Sequence, residues 1–197
     1  ATTPVRFEGN NYSAEWVKEA AKRGLLNLRR TPEALAQLAT KTSKKCLVGL
    51  RILTEEELES RYHVRLERYI KDMLIELHTL RETVDTMVLP AALQYVGSLA
   101  TSAAQAKAAG IGVIPQIEPA NTVGKSIQAL QAARATLGKA IDKAEEMHDE
   151  LEEQAEFLTR EGAEAMAAVR TICDSLEVSI DDELWPLPKY REMLFPV

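Results

Sequence analysis

One stretch limits the fold more than any other. From Thr54 to Ala109, apolar side chains recur at Leu58, Tyr62, Leu66, Tyr69, Met73, Leu77, Leu80, Val84 and Met87. They fall three or four residues apart, which places them on one stripe of a helix and shows no strand-like alternation. The stretch also opens as a helix: Thr54 is a good N-cap, and Glu57 completes a T-x-x-E capping box. As a single helix it would reach roughly 80 Å, at about 1.5 Å per residue. An apolar stripe of that length cannot stay in water, so another part of the chain or a partner must cover it.

Pro90 interrupts the stripe. Its ring removes a backbone donor and clashes with the preceding turn, at a cost of about 3 kcal/mol in a helix interior. The apolar rhythm resumes at Leu93, Val96 and Leu99, so the phase is expected to survive and a kink is predicted at Pro90. Two helices meeting at Leu89-Pro90 are the alternative. Residues 110–121, GIGVIPQIEPAN, hold two Gly and two Pro and read as a loop. Its Ile111, Val113, Ile114 and Ile117 make it a contact site at a hairpin tip, unless it folds back onto the hairpin end.

A return helix is predicted over 122–159, started by Asn121 or Thr122. Its stripe is Val123, Ile127, Leu130, Leu137, Ile141, Ala144, Met147, Leu151 and Leu158. Ala129, Ala132, Ala133 and Ala140 permit close approach to the first long helix. A break is expected near Arg160–Gly162, followed by a third helix over about 163–178 with Met166, Val169, Ile172 and Leu176 inward. Trp185-Pro186 and Pro188 then stop regular structure, and Tyr190, Leu194 and Phe195 form an apolar tail expected to be pinned to the bundle.

The first 53 residues look different. Gly9-Asn10-Asn11 is a turn signal, Ser13 can cap a short helix over 14–23, and Gly24 fits its C-terminal end. The inward face of that helix is Trp16, Val17 and Ala20. Thr31-Pro32-Glu33 starts a second short helix, to about Ala39. Residues 40–53 are read as a connector whose apolar half tucks against the bundle, with a short strand as the alternative. The predicted fold is thus all-α. It is an elongated antiparallel helical bundle built on a long helical hairpin, kinked at Pro90, with short N-terminal helices. Residues 1–53 form an N-terminal segment, and 54–197 form the hairpin bundle with its WPLP tail, within one structural unit.

Composition narrows the function. The 197 residues carry 24 basic and 30 acidic side chains, a net charge of -6, which disfavours nucleic acid and anionic membrane surfaces as partners. Two cysteines, Cys46 in a loop-like stretch and Cys173 on an inner helical face, are too few for a disulfide scaffold and point to a reduced, cytoplasmic setting. No apolar run is read as approaching the 18 or so residues of a membrane span, and no signal peptide is visible. The chain begins ATTPVRF, without Met, and is read as a processed product or a fragment.

A search for chemistry returns little. Glu145-x-x-His148 has the spacing used by carboxylate-bridged di-metal bundles, but those sites need two such pairs. Ser60 stands three before His63 and Ile75 three before His78, so the second pair is missing. Met147 rather than His148 continues the apolar stripe, and the acidic run at 145–156 reads as solvated surface. Cys173 beside Ile172 reads as packing, and Tyr62, Tyr69 and Tyr95 as core residues with hydroxyls at the rim. There is no HExxH, no pair of CxxC motifs, no calcium loop and no phosphate-binding glycine pattern. No catalytic, cofactor-binding or metal-binding residue is assigned.

Three stretches together resemble one family. Phe7-Glu8-Gly9-Asn10-Asn11-Tyr12-Ser13-Ala14-Glu15-Trp16, continuing to EAAKRGLLNL, is similar to a segment of type III glutamine synthetases. So are Glu57-Leu58-Glu59-Ser60-Arg61-Tyr62, Leu66-Glu67-x-Tyr69-x-Lys71, and Leu89-Pro90-Ala91-Ala92 followed by Tyr95. The end, Leu184-Trp185-Pro186-Leu187-Pro188-x-Tyr190-x-x-x-Leu194-Phe195, resembles the C-terminus of the same enzymes.

The resemblance implies a parent that joins glutamate and ammonia using ATP and Mg or Mn ions, as a cytoplasmic ring-shaped homo-oligomer. It implies that nucleotide, metal and glutamate ligands lie upstream, in a catalytic domain, and that none falls in these residues. The expected role is a non-catalytic structural and oligomerisation domain, with its own catalytic domain and neighbouring subunits as partners. A stand-alone helical interaction module or adaptor without enzymatic activity is the alternative.

Overall fold

The computed structural model describes residues 7–194, and within them the chain is all-α, with no strand. It divides into two compact units, Ala1–Arg65 and Leu66–Val197, and the division falls inside a helix.

The N-terminal unit begins with α1 (Ala14–Lys22). The Ser13 hydroxyl caps it by accepting the Trp16 amide at 3.3 Å. Its end is a Schellman turn: Gly24 has φ +70°, and the Leu25 amide reaches back to the Ala20 carbonyl at 2.9 Å. Then come α2 (Thr31–Ala36), with Pro32 in its first turn, and a 3-10 turn over Gln37–Ala39. The expected connector at 40–53 is corrected in part, because α3 (Lys41–Leu47) occupies half of it and Cys46 is helical. Thr40 supplies the reason: its hydroxyl accepts the Ser43 amide at 3.3 Å, and Lys44 and Lys45 suit the negative end of the helix dipole. The capping box forms as read, with the Thr54 amide donating to Glu57 Oε2 (2.8 Å) and the Glu57 amide to Thr54 Oγ1 (3.1 Å).

That box starts α4 (Glu55–Thr83), which runs through the division. Its stripe is inward as predicted: Leu58, Tyr62, Leu66, Met73, Leu77 and Val84 are buried, joined by Ile70. The continuation past Pro90 is corrected in part. Val84–Val88 form a π turn, which leads into α5 (Leu89–Ala108) with Pro90 in its first turn. A π turn holds one residue more than an α turn, so the buried positions slip by one. Val88, not Met87, continues the core, followed by Ala91 and Ala92, while Leu93 is 55% exposed. Val96 and Leu99, where the rhythm was also expected to resume, are half-buried, so the phase survives in part.

The second hairpin arm, α6 (Ile117–Glu146), starts earlier than read, because Pro119 sits in its first turn, where its missing N–H is no loss. It buries Val123, Ile127, Leu130, Leu137, Ile141 and Ala144, and it packs against α5. The predicted helix over 122–159 is also corrected: α6 ends at Glu146, and the chain turns at Met147–Glu150 before α7 (Leu151–Phe157). Gln154 explains the corner. It is buried, and its Nε2 donates at 2.8 Å to the Ala144 carbonyl, which from the end of α6 accepts only the Met147 amide at 3.2 Å.

The break expected at Arg160–Gly162 is instead a second π turn, Leu158–Gly162, leading directly into α8 (Ala163–Ser179). Gly162 sits close to Leu77, where an added Cβ would stand 3.6 Å from Leu77 Cδ1. α8 buries Ala165, Val169, Cys173 and Leu176 and packs along α6. In the tail, Trp185 is buried, but Met193 and Leu194 of the short α9 (Tyr190–Leu194) are exposed, so Leu194 does not pin it. Phe195 lies outside the described residues.

Candidate interaction surfaces

Several ionisable side chains are engaged with one another on the helices. His78 on α4 places Nε2 2.9 Å from Glu145 Oε1, and Arg81 donates to His78 Nδ1 at 3.1 Å. An imidazole whose Nδ1 accepts must carry its proton on Nε2, so His78 donates to Glu145. Glu145 is thereby engaged away from His148, which is exposed and lies against Asp149 and the Glu145 carbonyl. His63 is also exposed, beside the Tyr62 ring. No group of three or more His, Cys, Asp or Glu placed to hold a metal ion occurs among the described residues. At the α6–α7 corner a side-chain hydrogen bond with Glu150, and then the charge of Glu150, raise the Glu153 carboxyl above its ordinary value.

Of the tyrosines, Tyr62 is buried and Tyr69 and Tyr95 are half-buried. The Tyr69 hydroxyl meets Thr159 Oγ1 at 2.7 Å, and Thr159 already donates to the Ala155 carbonyl at 2.7 Å. Tyr69 is therefore the donor, tying α4 to the second π turn.

A groove of about 270 Å³ runs beside the C-terminal tail, lined in part by Val84, Val88, Cys173, Trp185, Leu187 and Met193. The Cys173 thiol beside it is pushed up to about 11 by burial. A thiol held protonated is a poor nucleophile, so Cys173 is packing rather than chemistry.

Apolar surface gathers at the α5–α6 tip instead. Ile111 is 54% exposed, Val113 77% and Ile117 50%, while Ile114 is half-buried. The loop starts with a Schellman turn at Gly110, φ +74°, whose Ile111 amide bonds the Ala106 carbonyl at 3.1 Å. Leading up to it, Thr86 to Ala106 carry no charged side chain. Here the expectation that no apolar run approaches the length of a membrane span is corrected. The helical run Glu55–Ala108 contains an 18-residue window apolar and long enough, by length and composition, to cross a membrane. Small residues and hydroxyls supply that stretch, which is why a search for bulky apolar runs passes over it.

Residues 1–107 match the family described as the glutamine synthetase C-terminal domain. The chain belongs to that family. The domain is 35% identical over 200 residues to a glutamine synthetase of Bacteroides fragilis (strain YCH46). It is 34% identical over 197 residues to a type-3 glutamine synthetase of Dictyostelium discoideum, and 32% over 198 residues to a glutamine synthetase of Butyrivibrio fibrisolvens. These matches cover 97% to 99% of the domain but 27% of each relative. The family match ends inside α5, whereas the relatives align through the loop and α6–α8 as well.

The R-G-L-L-N-L stretch that marks the family in sequence is exposed throughout. Sequence reading used it as a label and missed it as a surface. The signal lay in three leucines beside two arginines with no helical period to bury them.

Proposed function

We propose that this domain belongs to an ATP-dependent glutamate–ammonia ligase and that its own role is architectural. In this reading it packs against a catalytic domain and against neighbouring subunits of a cytoplasmic homo-oligomer. The match of nearly the whole domain to 27% of each glutamine synthetase relative carries the reading. The exposed Ile111, Val113 and Ile117 at the α5–α6 tip supply a surface suited to assembly. In this reading ATP and Mg or Mn belong to the catalytic domain of the parent ligase.

The test uses the full-length polypeptide. Val113→Asp together with Ile117→Asp is expected to lower the oligomer mass measured by light scattering while leaving the helical signal intact. An unchanged mass removes the tip from the assembly. Synthesis of glutamine from glutamate, ammonia and ATP by the 197-residue chain alone would overturn the non-catalytic role.

A further inference from the structure

The segment Gly24–Arg30 keeps its leucines out of the fold. Leu25 is 51% exposed, Leu26 70% and Leu28 36%, and every residue from 21 to 30 is exposed. This is not a frayed helix end. The Schellman turn at Gly24 fixes the exit from α1, and Pro32 fixes the entry to α2. Between them, Leu26 to Arg30 donate no hydrogen bond among the described residues. The segment is held at both ends and bonded to nothing in the middle.

Its charge is one-sided. From Ala20 to Pro32 the chain carries Lys22, Arg23, Arg29 and Arg30 and no acidic residue. Arg23 is satisfied within the helix by Glu19 at 2.8 Å, whereas Arg29 and Arg30 have no carboxylate partner among the described residues. The same chemistry recurs at the end of α3. Leu50 is 69% and Ile52 59% exposed around Arg51, which sits at φ +58° where glycine is usual. Three exposed leucines beside two guanidiniums with no carboxylate partner among the described residues suit an apolar protein surface rimmed with carboxylates.

We infer that Gly24–Arg30 is a docking segment, and that its occupant is an acid-rimmed apolar surface on the remainder of the glutamine synthetase polypeptide. The inference rests on the domain reading proposed above. The relatives align with this segment while 27% of their length accounts for the whole match, so the rest of each chain is available to cover it. Charge complementarity selects the carboxylate rim, and the leucines select the apolar centre.

Hydrogen exchange read by mass spectrometry tests it, comparing the amides of residues 26–30 in the 197-residue chain and in the full-length polypeptide. In the isolated chain they exchange fast. In the full-length protein they are expected to slow by about tenfold or more, the mark of a covered segment. Leu25→Asp with Leu26→Asp restores fast exchange there. Arg29→Glu with Arg30→Glu does so too, while Arg29→Lys with Arg30→Lys retains the protection. Equal, fast exchange in both proteins overturns the inference and leaves the domain reading standing. Protection in the isolated chain that grows with concentration, alongside a doubled mass, assigns the segment to a second copy and also overturns it. A gene encoding nothing beyond these residues defeats the domain reading itself, before any exchange is measured.

Discussion

Arg134 of α6 grips Asp85 of the first π turn through two nitrogens, with Nε donating to Oδ1 at 2.8 Å and an Nη2 contact to Oδ2. The pair joins the point where the α4–α5 phase shifts to the middle of the opposing arm. The Arg134 hydrogen bond holds the Asp85 carboxyl below its ordinary value of 3.8. A depressed carboxyl contributes stability that is present above that value and lost as pH falls through the lowered one. Side chains 38% and 33% exposed keep the pair in solvent-screened territory, so a double-mutant cycle of Asp85→Asn and Arg134→Gln is expected to give a coupling of about 0.5–1 kcal/mol. The coupling should shrink in acid below pH 3.8 and in high salt. A coupling unchanged at low pH removes the charge from the account.

The Tyr69–Thr159 bond makes a different prediction. Tyr69→Phe loses one hydrogen bond at a half-buried site and is expected to cost about 0.5–1.5 kcal/mol in urea unfolding. Thr159→Val costs more, since it also frees the Ala155 carbonyl from its side-chain donor. Equal costs would mean that the Ala155 bond contributes nothing.

Gln154→Leu tests the α6–α7 corner. The change keeps the bulk and leaves the buried Ala144 carbonyl with the Met147 amide alone, at a cost of about 0.5–1.5 kcal/mol. The neighbouring exposed Glu153→Leu serves as the control and should fall within about 0.5 kcal/mol of the parent.

Two helix ends give opposite signs. Gly24 at φ +70° has open space around its missing Cβ, so Gly24→Ala is a pure backbone test and should destabilise by about 1 kcal/mol. Arg51 occupies the same backbone region at φ +58°, and Arg51→Gly should stabilise by about 0.5–1 kcal/mol. A loss of stability from Arg51→Gly would show that its side chain contributes contacts within this chain.

The cysteines should separate by reactivity. Cys46 is exposed and Cys173 buried, so iodoacetamide at pH 8 is expected to label one thiol in the folded protein and two in denaturant. Cys173 has its thiol raised from 9.0 to about 11. Its contribution to stability is complete below pH 9.0 and declines as pH rises through about 11. Rapid labelling of both cysteines in the folded protein would show that α8 opens locally.

How much of this was legible beforehand follows the range of the forces. The capping box at Thr54–Glu57, the Ser13 cap, the glycine end of α1 and the inward stripe of α4 up to Val84 were all readable. Each depends on residues within one or two helical turns. The corner at Met147–Glu150 was not readable, because the acidic run that spans it looks like any solvated helix face. Only the buried Gln154, reaching ten residues back to the Ala144 carbonyl, marks it. The surface at Leu25, Leu26 and Leu28 escaped for the opposite reason. Leucines are expected inside, and their exposure is a fact about what the rest of the chain does not cover.

The sequence by itself determined an all-helical chain, its principal caps and its family. Those are set by side-chain periodicity and by local hydrogen bonding that any copy of the same segment would repeat. Only the tertiary structure decided that Val88 rather than Met87 continues the core past Val84, and that Leu158–Gly162 carries the chain on rather than breaking it. A π turn places one extra residue in a helix, and the local apolar pattern does not specify where. Each of the two turns also carries a long-range hydrogen bond, Arg134 to Asp85 and Tyr69 to Thr159, between residues 49 and 90 apart in sequence that no local pattern pairs.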